Sequence, residues 1–170
     1  VVNTMLEQLG ATPVGMPVTA IGDALSKGVI SATTIPFEVV PSLRLEQIVK
    51  HHTTYAGSKG LYTLTFAVAM NKAAYDKLPA DLKKVIDNNS GSNAAALFGR
   101  AMDQGDITGR AAISKAGNKI VAFDAAETQR WARAAAGVRA TWYQQVGAKG
   151  IDGKALAAEA ERLVEKYDKR

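Results

Sequence analysis

Residues 9–18 read LGATPVGMPV, and residues 23–30 read DALSKGVI. Gly10 suits the left-handed conformation in which many helices end, and the apolar residues before it are spaced as on one helix face, so they predict a first helix. The next apolar run closes at Pro17 and predicts a short strand, and Gly28 ends a second helix before another apolar pair. The order therefore predicts a strand, a crossover helix and a parallel strand.

Several later segments also carry secondary-structure signals. Residues 61–70 combine β-branched and aromatic side chains without glycine or proline, and they predict a central, buried strand. Residues 50–55 and 119–123 predict two shorter strands. A helix is predicted over about residues 79–115, and the chain from Asp124 onward is predicted to be helical, with an acidic capping signal at its start. Together these elements predict an α/β fold.

Composition limits the class of protein more than its activity. The chain has 170 residues, 47% of them hydrophobic, which is enough for one domain or for one lobe with parts of another. Without cysteine, disulfides and thiolate chemistry are excluded. The net charge of +5 is scattered. No basic run reaches the roughly 5 to 8 residues typical of a nucleic-acid patch, so we expect no nucleic-acid partner.

Constellations of catalytic residues are missing from the sequence. His51 and His52 are the only histidines, and adjacent residues of a strand point to opposite faces, so the pair is poorly suited to chelate one metal. The glycine-rich phosphate-binding motifs and the nucleophile elbow are absent as well. We therefore predict no enzyme activity, no metal site and no cofactor.

Two groups of residues, one in the first quarter of the chain and one near its middle, form an ordered pattern. The first group is Leu9, Gly10, Ala11, Pro13, Met16, Ala24, Leu25, Gly28, Val29, Ile30 and Pro36, and the second is Asn71, Lys72, Tyr75, Asp76, Leu78, Pro79, Leu82 and Ile86. This pattern resembles the extracytoplasmic solute-binding proteins of tripartite ATP-independent periplasmic (TRAP) transporters. The resemblance covers about residues 1–115.

The resemblance implies a fold and a domain organisation. The chain would be the C-terminal portion of a two-lobe receptor, with a periplasmic-binding-protein-like α/β lobe, parallel-sheet crossovers, a long linking helix and a helical C-terminal part. Residues 1–60 and about 117–170 would form mainly the second lobe, and about residues 61–116 would form the lobe-linking strand and helix. The N-terminal lobe, with the family's carboxylate-binding arginine, is expected to precede Val1.

The resemblance also implies a function, which is capture of an organic acid anion in the periplasm and its delivery to TRAP membrane subunits. Ligands of open parallel sheets bind beyond the carboxyl ends of the strands, which here precede two loops. The residues expected to face the ligand are Val18, Thr33, Thr34, Ile35 and Phe37. Threonine hydroxyls could orient a carboxylate, and Ile35 with Phe37 would form an apolar wall for an alkyl or aryl tail. Their alternative roles are turn capping and core packing.

Departures from the family pattern leave the identity of the ligand open. Ser31 and Ala32 stand where the family usually has Asp-Gly, and Ile35 stands where many members have asparagine. Two other classes of function also remain open: an α/β protein-interaction or regulatory domain without a transport role, and a hydrolase or transferase whose catalytic residues would lie on an N-terminal part that precedes Val1. On its own, the chain is expected to self-associate through residues 61–70 and the helices from Asp124 onward.

Overall fold

The structure is a computed structural model that describes residues 1–57 and 60–167. This part of the chain is mostly helical, and its helices are α1 (Val2–Gln8), α2 (Ile21–Ser26), α3 (Leu45–Ile48), α4 (Lys72–Asp76), α5 (Ala80–Asn88), α6 (Gly91–Lys115), α7 (Ala125–Gly147) and α8 (Gly153–Tyr167). Two short 3₁₀ turns cover Val18–Ala20 and Phe37–Val39. None of the described helices is both long and apolar enough to cross a membrane.

The described strands are β1 (His51–Thr54) and β2 (Lys119–Ala122), which pair with each other. The N–H of Lys119 donates to the carbonyl of Lys50 at 3.1 Å, and the N–H of Phe123 donates to the carbonyl of Thr54 at 2.9 Å. Both sides of the ladder advance in the same direction, so the sheet is parallel. The strands predicted over residues 50–55 and 119–123 are confirmed.

Three other segments that were predicted as strands are not strands in the described part of the chain. They are residues 12–16, 29–30 and 61–70. Phe66 and Val68 are 70% and 88% exposed, so the burial predicted for residues 61–70 is also wrong. A strand needs a neighbour that satisfies its backbone hydrogen bonds, and within the described residues β1 and β2 pair only with each other.

The helix predicted over residues 79–115 is divided into α5 and α6. The Asn89 side-chain amide donates to the carbonyl of Val85 at 2.8 Å, and the Ser90 hydroxyl donates to the carbonyl of Ile86 at 2.6 Å. These side chains bond the last turn of α5, and Gly91 follows with a φ of +69°, a conformation that favours glycine. A glycine also follows the end of α1 and of α2: Gly10 and Gly28 have the left-handed φ that their positions predict.

The chain divides into two compact units. Unit 1 comprises Val1–Pro17, Thr53–Tyr62 and Val121–Arg170, and unit 2 comprises Val18–His52 and Thr63–Ile120. In unit 1, α7 packs against α1 and α8. Its aromatic cluster consists of Tyr55, Phe123 and Trp131, whose ring centroids lie 5.4 to 5.7 Å apart. The predicted cap of α7 is confirmed, because the Asp124 carboxylate accepts the N–H of Glu127 at 2.8 Å.

Unit 2 is built around the contact between α6 and the 3₁₀ turn Phe37–Val39. Its buried apolar residues are Ile21, Val40, Leu45 and Ile113. Leu45 and Ile113 are 1% and 0% exposed, so they form the best-shielded part of the unit. Burial of side chains of this size is the main source of stability in such a core.

Candidate functional site

All five residues predicted to face the ligand belong to unit 2. Val18 opens the first 3₁₀ turn and is 52% exposed. Thr33, Thr34 and Ile35 lie in an irregular, half-buried segment, and Phe37 is the first residue of the second 3₁₀ turn. Four of the five residues are therefore neighbours in a single segment, which we call the 33–37 loop.

The end of the 33–37 loop is held by a proline on one side and by core residues on the other. Pro36 has φ −63° and ψ 153°, an extended conformation that its ring favours, and the 3₁₀ turn begins directly after it. Val40, which follows the turn, is only 2% exposed. The loop thus leads into a segment that is anchored in the core of unit 2.

The Phe37 side chain lies between a cation and a second aromatic ring. The guanidinium carbon of Arg110 is 4.0 Å from the centroid of the Phe37 ring, which is the geometry of a cation–π contact. The ring of His52 lies on another side, with a centroid distance of 6.5 Å and a tilt of 42°. Phe37 as a whole residue is half-buried.

The backbone after Phe37 contacts α6 closely. The N–H of Glu38 donates to the Asp106 carboxylate at 3.1 Å. Gly109 of α6 is buried, and a Cβ atom built there would overlap the carbonyl oxygen of Phe37. Burial raises the pKa of the Glu38 carboxyl above its usual value, and the nearby charge of Asp106 raises it further.

A second polar group lies beside the Phe37 ring. The Nε2 atom of His52 and one carboxylate oxygen of Glu46 are buried and have no hydrogen-bond partner among the described residues. Burial lowers the pKa of His52, an effect that Glu46 opposes and His51 reinforces. The neutral form of His52 is therefore favoured. The Asn118 amide donates to the carbonyls of Glu46 and Val49 at 2.6 and 3.0 Å and ties α3 to the end of α6.

The groups that the structure brings to the Phe37 ring are the Arg110 guanidinium and the His52 imidazole. Thr33, Thr34 and Ile35 precede Phe37 in the chain and are half-buried. An aromatic ring beside a guanidinium is suited to contact a small molecule with an apolar body and a charged end. No group of three or more His, Asp or Glu residues within residues 1–57 and 60–167 could hold a metal ion.

The sequence did not predict that three residues around Phe37 belong to the candidate site. They are Asp106, Gly109 and Arg110. Asp106 is 68 positions from its partner Glu38, and no local pattern reports so distant a contact. From the sequence, His52 was considered only as a metal ligand and was not connected with Phe37. The spacing of Gly105 and Gly109 was the one available signal, because glycines four residues apart on a helix create a narrow surface for close packing.

Comparison with known sequences identifies relatives along most of the chain. Residues 1–145 match the family described as DctP, bacterial extracellular solute-binding protein, family 7. A solute-binding protein of Albidiferax ferrireducens is 30% identical over 163 residues, which make up 95% of this chain and 46% of that protein.

Solved structures of similar fold carry small acids. A marine metagenome TRAP solute-binding protein from an unidentified microbe, specific for aromatic acid ligands and solved with metahydroxyphenylacetate, superposes with a TM-score of 0.92 at 43% identity and covers 99% of this chain and 53% of its own. A TRAP periplasmic solute-binding protein of Bordetella bronchiseptica with bound (R)- and (S)-mandelate gives a TM-score of 0.82 at 30% identity, covering 92% and 49%.

These similarities identify the family of the chain. The chain spans about half the length of the relatives it matches. Its helices and small parallel sheet match the TRAP solute-binding structures, which confirms the predicted periplasmic-binding-protein-like α/β fold. The chain belongs to the DctP family of bacterial extracellular solute-binding proteins, the solute-binding proteins of TRAP transporters.

Proposed function

We propose that this chain is part of a receptor that captures an aromatic organic acid and that the 33–37 loop contributes to its binding site. The observation that carries the proposal is the position of the half-buried Phe37 at the end of the loop, with the Arg110 guanidinium carbon 4.0 Å from the centroid of its ring. The aromatic ring of the ligand would pack against Phe37 and Ile35. Hydroxyls of Thr33 and Thr34 would donate to the carboxylate.

Similarity to liganded relatives supports an aromatic rather than an aliphatic ligand. The relative that is 43% identical is specific for aromatic acids, and the Bordetella relative was solved with mandelate, which also carries an aromatic ring. The formal net charge of +5 favours the approach of an anion. Val18 is proposed to flank the same site from the first 3₁₀ turn.

The wider biological role follows from the family and is part of the same proposal. The receptor would work in the periplasm, release its ligand to the membrane subunits of a TRAP transporter, and catalyse no reaction. We also propose that residues 1–60 and about 117–170 belong mainly to one lobe of the full-length protein and that about residues 61–116 link it to the other. In such receptors the ligand selects a closed form, which the membrane subunits then recognise.

A thermal-shift screen of the full-length protein tests the proposal. A ligand that binds only the folded state raises the melting temperature in proportion to the logarithm of its concentration above Kd. Metahydroxyphenylacetate and mandelate should each raise it, and succinate at the same concentration should raise it much less. A response to succinate alone would contradict the aromatic assignment, and no response to any organic acid would contradict the role as an acid receptor.

A further inference from the structure

Two glycines of α6 form a notch for the 3₁₀ turn that follows the 33–37 loop. A Cβ atom at Gly109 would overlap the carbonyl oxygen of Phe37, and one at Gly105 would lie 2.8 Å from Cβ of Glu38. Neither glycine has a positive φ, so an alanine could adopt the same backbone and the need for glycine is steric. Glycine is less favourable than alanine inside a helix. At these two positions, however, glycine allows the turn to approach α6 closely.

Two side chains from the same stretch of α6 hold the turn in the notch. The Asp106 carboxylate accepts the N–H of Glu38 at 3.1 Å, which restrains the backbone of the turn. The Arg110 guanidinium lies over the Phe37 ring at 4.0 Å from its centroid, which restrains the orientation of the ring. Asp106 and Arg110 are four residues apart and therefore project from the same face of the helix.

We propose that Gly105, Asp106, Gly109 and Arg110 are positioning residues that set the affinity and the aromatic selectivity of the 33–37 loop. This inference rests on the proposed function, since it assigns a role to residues behind the ligand-facing ones. A binding residue whose rotamer is already held in place loses less entropy when its ligand arrives. The α6 notch, consisting of these four residues, supplies that restraint to Phe37.

The test uses the full-length protein with 4-fluorophenylalanine incorporated at position 37, so that the fluorine resonance reports the surroundings of the ring. Affinities for metahydroxyphenylacetate and for its saturated-ring counterpart, cyclohexylacetate, are measured by calorimetry. Gly109→Ala should shift the resonance and weaken binding of the aromatic acid about tenfold or more, since the turn must move away from α6. Gly99→Ala is the matched control, because a Cβ atom there meets nothing within 4 Å on the same helix.

Substitutions at Arg110 and Asp106 keep the test decisive if Gly109→Ala does not fold. Arg110→Lys retains the charge but removes the planar group that stacks on the ring, so it should narrow the preference for the aromatic over the saturated acid. Arg100→Lys, on the exposed surface of the same helix, should leave that preference unchanged. Asp106→Asn keeps an acceptor for the Glu38 N–H, so it should retain more affinity than Asp106→Ala.

The outcomes separate the inference from the proposed function. A wild-type protein that binds neither acid overturns the proposed function. Wild-type binding that Gly109→Ala and Arg110→Lys leave unchanged overturns the positioning role alone. Loss of affinity with an unshifted fluorine resonance also overturns it, because the effect would then not pass through the Phe37 ring.

Discussion

Phe37 combines two environments within one side chain. Its backbone and one part of its ring are held by α6, through the close approach of Gly109 and the stacking of Arg110. The residue is nevertheless only half-buried. The packing role and the binding role that the sequence left as alternatives are therefore compatible, and the balance between them can be measured.

Replacing Phe37 by alanine in the full-length protein should weaken binding of metahydroxyphenylacetate about tenfold or more, or ~1.4 kcal/mol. The loss of folding stability should stay below the ~3–5 kcal/mol of a fully buried phenylalanine, because the ring is only partly enclosed. Calorimetry of the folded mutant measures the first quantity and thermal unfolding the second. Phe123→Ala is the control, since this residue is similarly half-buried but packs on Tyr55 and Trp131. Unchanged affinity in Phe37→Ala would exclude the binding role.

Glu38 should destabilise the fold at neutral pH. Burial, with the charge of Asp106, holds its folded-state pKa above the usual 4.5, so the folded protein favours the protonated carboxyl. The contribution of Glu38 is therefore most favourable below pH 4.5 and is lost as the pH rises through the raised pKa.

Replacing Glu38 by glutamine should consequently raise the melting temperature at pH 7. The difference from wild type should disappear below the unfolded-state pKa of 4.5. Thermal unfolding at several pH values measures both effects. The double variant with Asp106→Asn and Glu38→Gln should raise the melting temperature at pH 7 by less than the sum of the two single changes. The reason is that the repulsion between the two carboxylates can be removed only once. A glutamine variant that is less stable at pH 7 would contradict the prediction.

At the scale of elements, signals confined to a few neighbouring residues predicted helix ends and caps correctly. Signals that depend on a distant partner did not predict the strands of residues 12–16, 29–30 and 61–70 correctly. The helix ends at Gly10 and Gly28 and the cap at Asp124 depend on local backbone geometry, and the structure has all three. Residues 61–70 have the composition of a buried strand but lie exposed without one. The composition of a segment indicates that it suits a buried strand. It does not indicate which other part of the protein would pair with the segment and bury it.

The same distinction applies to the candidate site. The residues of the 33–37 loop were predicted to face the ligand from the family resemblance and from the expected position of the loop beyond a strand end. The support of the loop by α6 was not predicted, since Asp106 and Arg110 are about 70 residues away. Contacts of that sequence separation depend on the tertiary fold.

The first turn of α7 should lose stability as the pH falls. Hydrogen bonds from Arg130 and from Trp131 lower the pKa of Glu127 to about 2, against a usual value of 4.5. The contribution of this carboxylate is therefore present above pH 4.5 and is lost as the pH falls through about 2. Its size should be small, because exposed ion pairs contribute little.

Glu127→Gln should accordingly lower the melting temperature slightly at pH 7, and the difference from wild type should shrink as the pH falls from 4.5 toward about 2. Trp131 fluorescence is a suitable probe, since its indole N–H donates to Glu127 at 2.9 Å. Glu165→Gln, which removes an exposed carboxylate from α8, is the control and should have a smaller effect at pH 7. An equal decrease in the melting temperature of both variants would indicate a general charge effect. It would contradict the assignment of the effect to the hydrogen bonds that Glu127 accepts from Arg130 and Trp131.

At the scale of the whole molecule, much apolar surface is not covered within the described chain. Leu64, Phe66, Val68 and Met70 are 48%, 70%, 88% and 48% exposed, and they occupy alternate positions of a segment that is neither helix nor strand. If the segment pairs as a strand with a second copy of the chain, side chains two residues apart point to the same side, and the four form one apolar row. A row of this kind beside unpaired backbone groups favours association with another chain.

The 170-residue chain should therefore self-associate in solution, and Val68→Lys should reduce the association by placing a charge in the apolar row. Ala67→Lys adds the same charge to the same segment but on its opposite side, so it should reduce association less. Sedimentation velocity at increasing protein concentration compares the average mass of the three proteins. If wild type stays monomeric at the highest concentration, or if both lysine variants behave alike, the apolar row is not the contact between copies.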